Sequence, residues 1–221
     1  MTEKHFPRKA RSDGEQSRER LLMAAMRLFA EQGFARTSTR EIALAAGVNV
    51  AAISYYFGDK AGLYKAALTD LIPPPEHNIQ QFDQPDFTLR QAMEGFFTQM
   101  LAPLAEGEFA VLCTKLWMRE IVEPTGVWFR EIEEGIKPEH MALVRVLARF
   151  LGIEPNDEVH RLAYSVAALG VQLILVRDVI NSFTPQLLSP ADAIDQWTTR
   201  LSDYAEAIVL AEQKKIREGK L

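Results

Sequence analysis

"TREIALAAGVNVAAISYYFGDKAGL", Thr39 to Leu63, holds two short helical patterns separated by Gly47-Val48, and the second ends on three consecutive aromatics, Tyr55, Tyr56 and Phe57. Successive side chains on a helix are rotated by about 100°, so a helix that buries one face cannot turn three neighbours inward. At least one of the three aromatics faces outward. What that face touches decides what the segment is for.

The punctuation around the stretch sets its elements. Ser38 and Glu41 have the spacing of a capping box, in which the serine oxygen takes a first-turn amide and the glutamate reaches back, so a helix starts there. Ile42, Ala43 and Ala46 give it a short apolar face, and Gly47 ends it after about two turns. Asn49 is a plausible N-cap for a second helix running to Tyr56 or Phe57, with Ile53 and Phe57 four apart on its buried side. Gly58 stops it, and Asp59 caps a further helix carrying Leu63, Tyr64, Ala67 and Leu68 toward the prolines at 73–75. Upstream, Leu21, Leu22, Ala25, Leu28 and Phe29 recur at helical spacing before Gly33. Residues 1–15 show no such period and read as a flexible basic arm.

Beyond the connector at about 73–86 the helices become longer and more apolar. Candidates are 88–105, 108–122, 126–134, 139–151, 156–182 and 190–217, with prolines marking most boundaries and Pro103 ending or kinking the first. No strand alternation or internal repeat is visible, so the fold class is all-α. The expected division is a module of short helices with its connecting helix over 16–72 and a larger helical domain over 73–221.

Two helices of about two turns, joined by a tight glycine turn, need a third packed across them. That layout is a helix-turn-helix, whose second helix enters the major groove of DNA. The charge agrees: residues 1–68 carry eleven Lys and Arg against seven Asp and Glu, while the rest of the 221-residue chain carries 14 against 23, within a net charge of −5. Affinity for phosphate follows the local basic face more than the total. Val50, Ala51, Ser54 and Tyr55 lie largely off the buried face, and small side chains at Val50, Ala51 and Ala52 let the helix approach the groove floor, where methyl groups can meet a thymine methyl. Tyr55 and Tyr56 can donate to phosphates, Lys60 adds a cation and helix-end amides, and Thr39 and Arg40 can grip the opposite strand.

"TSTREIALAAGVNVAAISYYFGDKAGLYKAAL", Thr37 to Leu68, resembles the DNA-binding segment of the TetR family of bacterial transcriptional regulators, with a Thr/Ser-rich start, Ile-Ala, Ala-Gly-Val, then Tyr-Tyr-Phe and a Lys before an apolar helix. The resemblance spans about residues 16–68. Ser54 departs from the tyrosine or asparagine many members carry, and Asn49 from their commoner serine. The resemblance implies a two-domain all-helical homodimer in which a small molecule bound to the C-terminal domain lowers affinity for an operator, repression being the family's default. "WMREIVEPTGVWF", Trp117 to Phe129, is similar to one branch of the family, which includes regulators of susceptibility to cephalosporins and chloramphenicol.

In the second domain Phe96, Phe97, Met100, Trp117, Met118, Trp128 and Phe129 can line an apolar effector pocket, oriented by Arg119, Gln172, Arg177 or His140. The 156–182 helix is apolar on nearly all sides, which calls for a cover on each. Ala163, Ala167, Gly170, Val171 and Ile174, with Trp197 and Leu201 of the last helix, are therefore expected to face a twin in a four-helix bundle. "EQKKIREGK" reads as a frayed tail.

An enzyme is disfavoured: there is no Gly-rich phosphate loop after a strand, no G-x-S-x-G, no H-E-x-x-H, and no histidine near Cys113 in sequence. No cofactor or metal is expected. With one cysteine, no signal-peptide core and no apolar run of about 20 residues, the chain is expected in the cytoplasm, off the membrane. A helical protein-binding adaptor is the other class, and it needs no basic recognition helix.

Overall fold

The computed structural model describes residues 13–70, 75–105, 108–126 and 136–219, and among these every regular element is a helix. The chain divides into two compact units, Met1–Leu71 with Lys115–Val127, and Ile72–Thr114 with Trp128–Leu221.

The first unit contains α1 (Asp13–Gln32), α2 (Thr39–Ala46), α3 (Ala51–Phe57), α4 (Lys60–Thr69) and the C-terminal part of α7 (Glu108–Val122). Of the stripe expected on α1, Leu21, Leu22, Ala25 and Phe29 are buried and Leu28 is half-buried, with Met26 and Ala30 buried beside them, but the helix begins at Asp13, inside the expected arm. Its C-terminal end is closed by Thr37, a buried residue whose hydroxyl donates to the Gly33 carbonyl at 2.8 Å. Ile42, Ile53, Leu63 and Leu68 are buried where α2, α3 and α4 pack on α1, and Leu116 of α7 is buried in the same unit.

The second unit comprises α5 (Pro75–Ile79), α6 (Leu89–Ala105), the start of α7, α8 (Lys137–Leu151), α9 (Asp157–Leu175), α10 (Arg177–Phe183), a 3-10 turn (Pro185–Leu187) and α11 (Ala193–Arg217). α6 lies along α11, and Phe82, Met93, Phe97, Leu147, Val166 and Leu201 join in one core. Asn156 caps α9 through its side-chain oxygen, which accepts from the amides of Glu158 and Val159 at 2.9 and 3.1 Å.

Four further sequence expectations change. The 156–182 helix breaks at Val176 (φ −102°, ψ 15°), leaving α9 and α10 bent by 58°. The connector contains α5, which starts on Pro75, a residue whose missing amide is harmless at a helix's first position. The expected frayed tail stays helical to Arg217, with the Gln213 side-chain amide donating to the Phe150 carbonyl at 2.8 Å. Residues 115–127, expected in the larger domain, pack with the first unit. The expected 126–134 helix lies outside the described residues except at Gly126. No single helix among the described residues is long and apolar enough to cross a membrane.

Candidate nucleic-acid interface

Both sides of the turn are fixed by local chemistry. The Ser38 amide donates to Glu41 Oε2 at 2.8 Å and the Glu41 amide to Ser38 Oγ at 3.2 Å, the reciprocal pair that starts α2. The bonds from Ser38 hold the Glu41 carboxyl below its ordinary pKa, with a smaller contribution from nearby Lys60. α2 ends at Gly47, whose left-handed backbone (φ 64°) lets its own amide reach the Leu44 carbonyl and the Val48 amide reach that of Ala43. The Asn49 side-chain oxygen then accepts from the Ala51 amide at 2.8 Å, and Val50 is already helical in its backbone angles.

α3 is held by one fully buried side chain, Ile53, which is 2% exposed. Its end is set by Gly62 in α4, where a Cβ would lie 2.0 Å from the Phe57 carbonyl oxygen, so the first turn of α4 lies directly against the last turn of α3. The Asp59 carboxylate takes the Gly62 amide at 2.8 Å, so that amide is not available to a phosphate.

The three aromatics point three ways. Tyr55 is 81% exposed, Tyr56 is half-buried with its ring edge-on to Tyr55 (centroids 4.8 Å apart), and Phe57 is half-buried beneath the Arg18 guanidinium, 5.1 Å from the ring centroid. Val50, Ala51 and Ser54 are exposed beside Tyr55, whereas Ala52 is half-buried. Arg40 is exposed and has no ion-pair partner among the described residues, while Thr39 is half-buried. Lys60 is half-buried, with its ammonium 4.4 Å from the centroid of the Phe34 ring. The arrangement is a short rod with a polar and methyl-bearing outer face, flanked by cations, suited to a nucleic-acid groove.

Residues 21–67 match the family model of the bacterial regulatory proteins of the tetR family. Residues 89–211 match that of the C-terminal domain of the HTH-type transcriptional dual regulator CecR. The chain is 35% identical over 188 residues to the dual regulator CecR of Shigella flexneri, covering 77% of this chain and 83% of the relative.

The chain belongs to the TetR family of bacterial transcriptional regulators.

Among solved structures, NalD, the secondary repressor of the MexAB-OprM multidrug efflux pump in Pseudomonas aeruginosa, shares the fold with a TM-score of 0.58 at 21% identity, over 88% of this chain and 97% of that one. SmeT, solved with triclosan, does so with a TM-score of 0.59 at 20% identity, over 89% and 90%. As a TetR-family member the chain is a DNA-binding transcriptional regulator, of a family that works as dimers and answers to small molecules.

The residues expected in the effector pocket are divided between the two units. Phe96 and Phe97 are core residues, packed edge-on to each other (5.2 Å) with Phe82 against Phe96 (5.3 Å). Trp117 and Met118 belong to the first unit, where the Trp117 indole N–H donates to the Leu68 carbonyl at 3.2 Å. Arg119 also packs there, donating to the Glu31 carbonyl at 3.4 Å. Met100 and Arg177 are half-buried and Gln172 exposed in the second unit, and Trp128 and Phe129 lie outside the described residues. His140 is engaged by His160, their Nε2 and Nδ1 2.9 Å apart, and burial with that neighbour lowers its pKa.

The expected dimer face needs a correction of phase. Ala163 and Leu201 have no exposed surface, and Gly170 lies so close to α6 that a Cβ would meet Met100 Sδ at 2.4 Å, so all three face their own core. Ala167, Val171, Ile174 and Trp197 are half-buried, and the Trp197 indole donates to the Leu187 carbonyl at 2.9 Å. Tyr164 (66% exposed), Ala168 and Leu175 carry the outward side of α9.

Sequence reasoning missed a buried network in the first unit. Tyr64 is 1% exposed and donates its hydroxyl to Glu120 Oε2 at 2.7 Å, while Glu120, 2% exposed, accepts at Oε1 from the Thr125 amide and hydroxyl, both at 2.9 Å. Burial, reinforced by Glu120, drives the Tyr64 hydroxyl far above its usual pKa, so it is a permanent donor. The signal was present: Glu120 falls four residues after the buried Leu116, on the apolar side of α7.

Proposed function

We propose that the protein is a cytoplasmic, homodimeric repressor that occupies a palindromic operator and leaves it when a small apolar or aromatic molecule binds. The observation that carries this reading is the outer face of α3, where Val50, Ala51, Ser54 and Tyr55 stay exposed because Ile53 alone anchors the helix. In this proposal residues 16–72 bind DNA, with 115–127 packed beside them, and the remainder of 73–221 binds the effector and the second copy.

Arg40, Tyr56 and Lys60 contact phosphates, with Thr39 in support, while Val50, Ala51, Ala52 and Ser54 approach base edges and Tyr55 reaches either. Two copies of α3 about 34–36 Å apart enter successive major grooves. The outward side of α9 forms the dimer face through Tyr164, Ala168 and Leu175, joined by Ala167, Val171 and Ile174 at its margin, because exposed apolar surface on a helix is stabilised by a partner. Met100, Gln172 and Arg177 are effector contacts. The triclosan bound to SmeT supports an apolar aromatic effector. α4 carries the signal, since it abuts α3 at Gly62 and receives α7 at Tyr64 and Leu68. The effector must bind the two states unequally, as equal affinity shifts nothing. The likeness to a dual regulator favours a second reading in which the same dimer activates from some operators.

The test is selection of duplexes from a random library with the purified protein, followed by binding across a salt range. Arg40→Ala and Lys60→Ala should each weaken binding and flatten its salt dependence, and Tyr56→Phe should weaken it with the slope kept. A protein-binding adaptor would select no duplex and show no such dependence. Native mass of the purified protein reads any retained effector.

A further inference from the structure

We infer that Glu120 is a positioning residue for DNA binding: its buried carboxylate fixes Tyr64, Tyr64 fixes the Phe34 ring, and that ring holds the Lys60 ammonium where it meets a phosphate. This rests on the assignment of Lys60 to the DNA backbone made above.

A carboxylate deep in an apolar unit is costly unless every oxygen is engaged, and a leucine at the same place would fill the space without that cost. Glu120 is engaged fully, one oxygen by the Tyr64 hydroxyl (2.7 Å) and the other by both donors of Thr125 (2.9 Å each). The consequence is a phenol ring fixed at both ends. Its hydroxyl is held by α7, and its faces and edges are gripped by Phe29 (centroids 4.9 Å, 85°) and Phe34 (5.0 Å, 64°).

Phe34 lies in the loop after α1, outside any helix, so its ring orientation depends on two helix-borne rings, Tyr64 of α4 and Phe29 of α1, the latter 5.9 Å away. On this ring sits Lys60 Nζ, 4.4 Å from the centroid. A lysine has four freely rotating bonds in its stem, and an aromatic face that attracts its ammonium removes most of that freedom before DNA arrives. The relay runs Glu120, Tyr64, Phe34, Lys60, with every step a contact within the first unit.

Counterion release separates positioning from mere stability, since the slope of log affinity against log salt counts phosphate contacts and is insensitive to the fraction of folded protein. The experiment uses the full chain and a duplex selected by the parent protein, titrated between about 50 and 200 mM potassium chloride. Lys60→Ala should lower the slope by about 0.9 per protomer. Glu120→Gln, which places an amide donor among donors, and Tyr64→Phe should each lower it by the same amount, and adding Lys60→Ala to either should change nothing further. Phe34→Leu removes the platform without disturbing the carboxylate, so it reads the relay even if the buried variants do not fold, and it should show the same slope. A slope kept by Phe34→Leu, or a Lys60→Ala effect that adds in full to Glu120→Gln or Tyr64→Phe, overturns the relay while leaving the DNA-binding reading intact. A Lys60→Ala slope equal to that of the parent removes the premise, and the relay falls with it.

Discussion

Gly62→Ala separates the generic rule for helices from what this fold demands. Gly62 is the third residue of α4, where helix propensity alone favours alanine by about 0.5–1 kcal/mol. Here a Cβ would lie 2.0 Å from the Phe57 carbonyl oxygen and 3.2 Å from its carbon. Ordinary contact needs about 3.5 Å, so the ends of α3 and α4 must separate by about 1.5 Å. The obstacle is backbone, which has no rotamer to yield. Overpacking of this kind costs about 1–3 kcal/mol, leaving a net loss of about 0.5–2 kcal/mol after the propensity gain. Urea unfolding followed by circular dichroism should show the midpoint lowered by roughly 0.3–1 M, for a slope of about 2 kcal/mol/M. Affinity for a selected duplex should fall by more than the stability loss explains, because the movement shifts α3. A midpoint equal to or above that of the parent would refute the claim that α4 lies against α3 through this glycine.

Three further outcomes follow from single contacts. Ile53→Ala removes the one fully buried side chain of α3 and should cost about 2–5 kcal/mol in the first unit, read as faster amide hydrogen exchange in α3 with α8 and α9 unchanged. Ser38→Ala deletes the cap of α2 and should cost about 1 kcal/mol in denaturant unfolding, while Ser38→Thr, which keeps the hydroxyl, should restore most of it. Glu139 has its pKa raised above 4.5 by burial, with the Asn78 amide at 2.7 Å opposing in part. Its contribution to stability is therefore full below about pH 4.5 and lost as pH rises through the folded-state value. Glu139→Gln should make the protein more stable than the parent at neutral pH, with the gain vanishing below about pH 4.5, as measured by chemical denaturation across that range.

What the sequence disclosed was set by local chemistry. The starts and stops at Ser38, Gly47, Asn49 and Asp59 depend on residues within a few positions of one another, and the structure places a cap or a turn at each. The helical stripe of α1 was legible for the same reason. The break at Val176 was not, because no proline or glycine stands there, the one glycine of the run being Gly170 inside α9, and packing against other helices decides where it bends. The phase of α9 escaped for a related reason: a helix apolar on nearly all sides gives no period to say which side its own domain covers, and of the neighbours Ala163 and Tyr164 the first is buried and the second exposed. In the candidate site, exposure of Tyr55 followed from the rotation of three aromatics. The pairing of Tyr64 with Glu120 spans 56 residues, and no local pattern carries a contact of that range.

The central claim is that the exposed face of α3 lies in the DNA major groove, twice per dimer. Tyr55→Cys in a Cys113→Ser background, carrying a tethered reagent that cleaves DNA, tests this on a selected duplex. The account predicts two clusters of cleavage related by symmetry, with centres about one helical turn apart and major-groove offsets. Cleavage spread evenly along a duplex that is tightly bound, or confined to a single site, would contradict it.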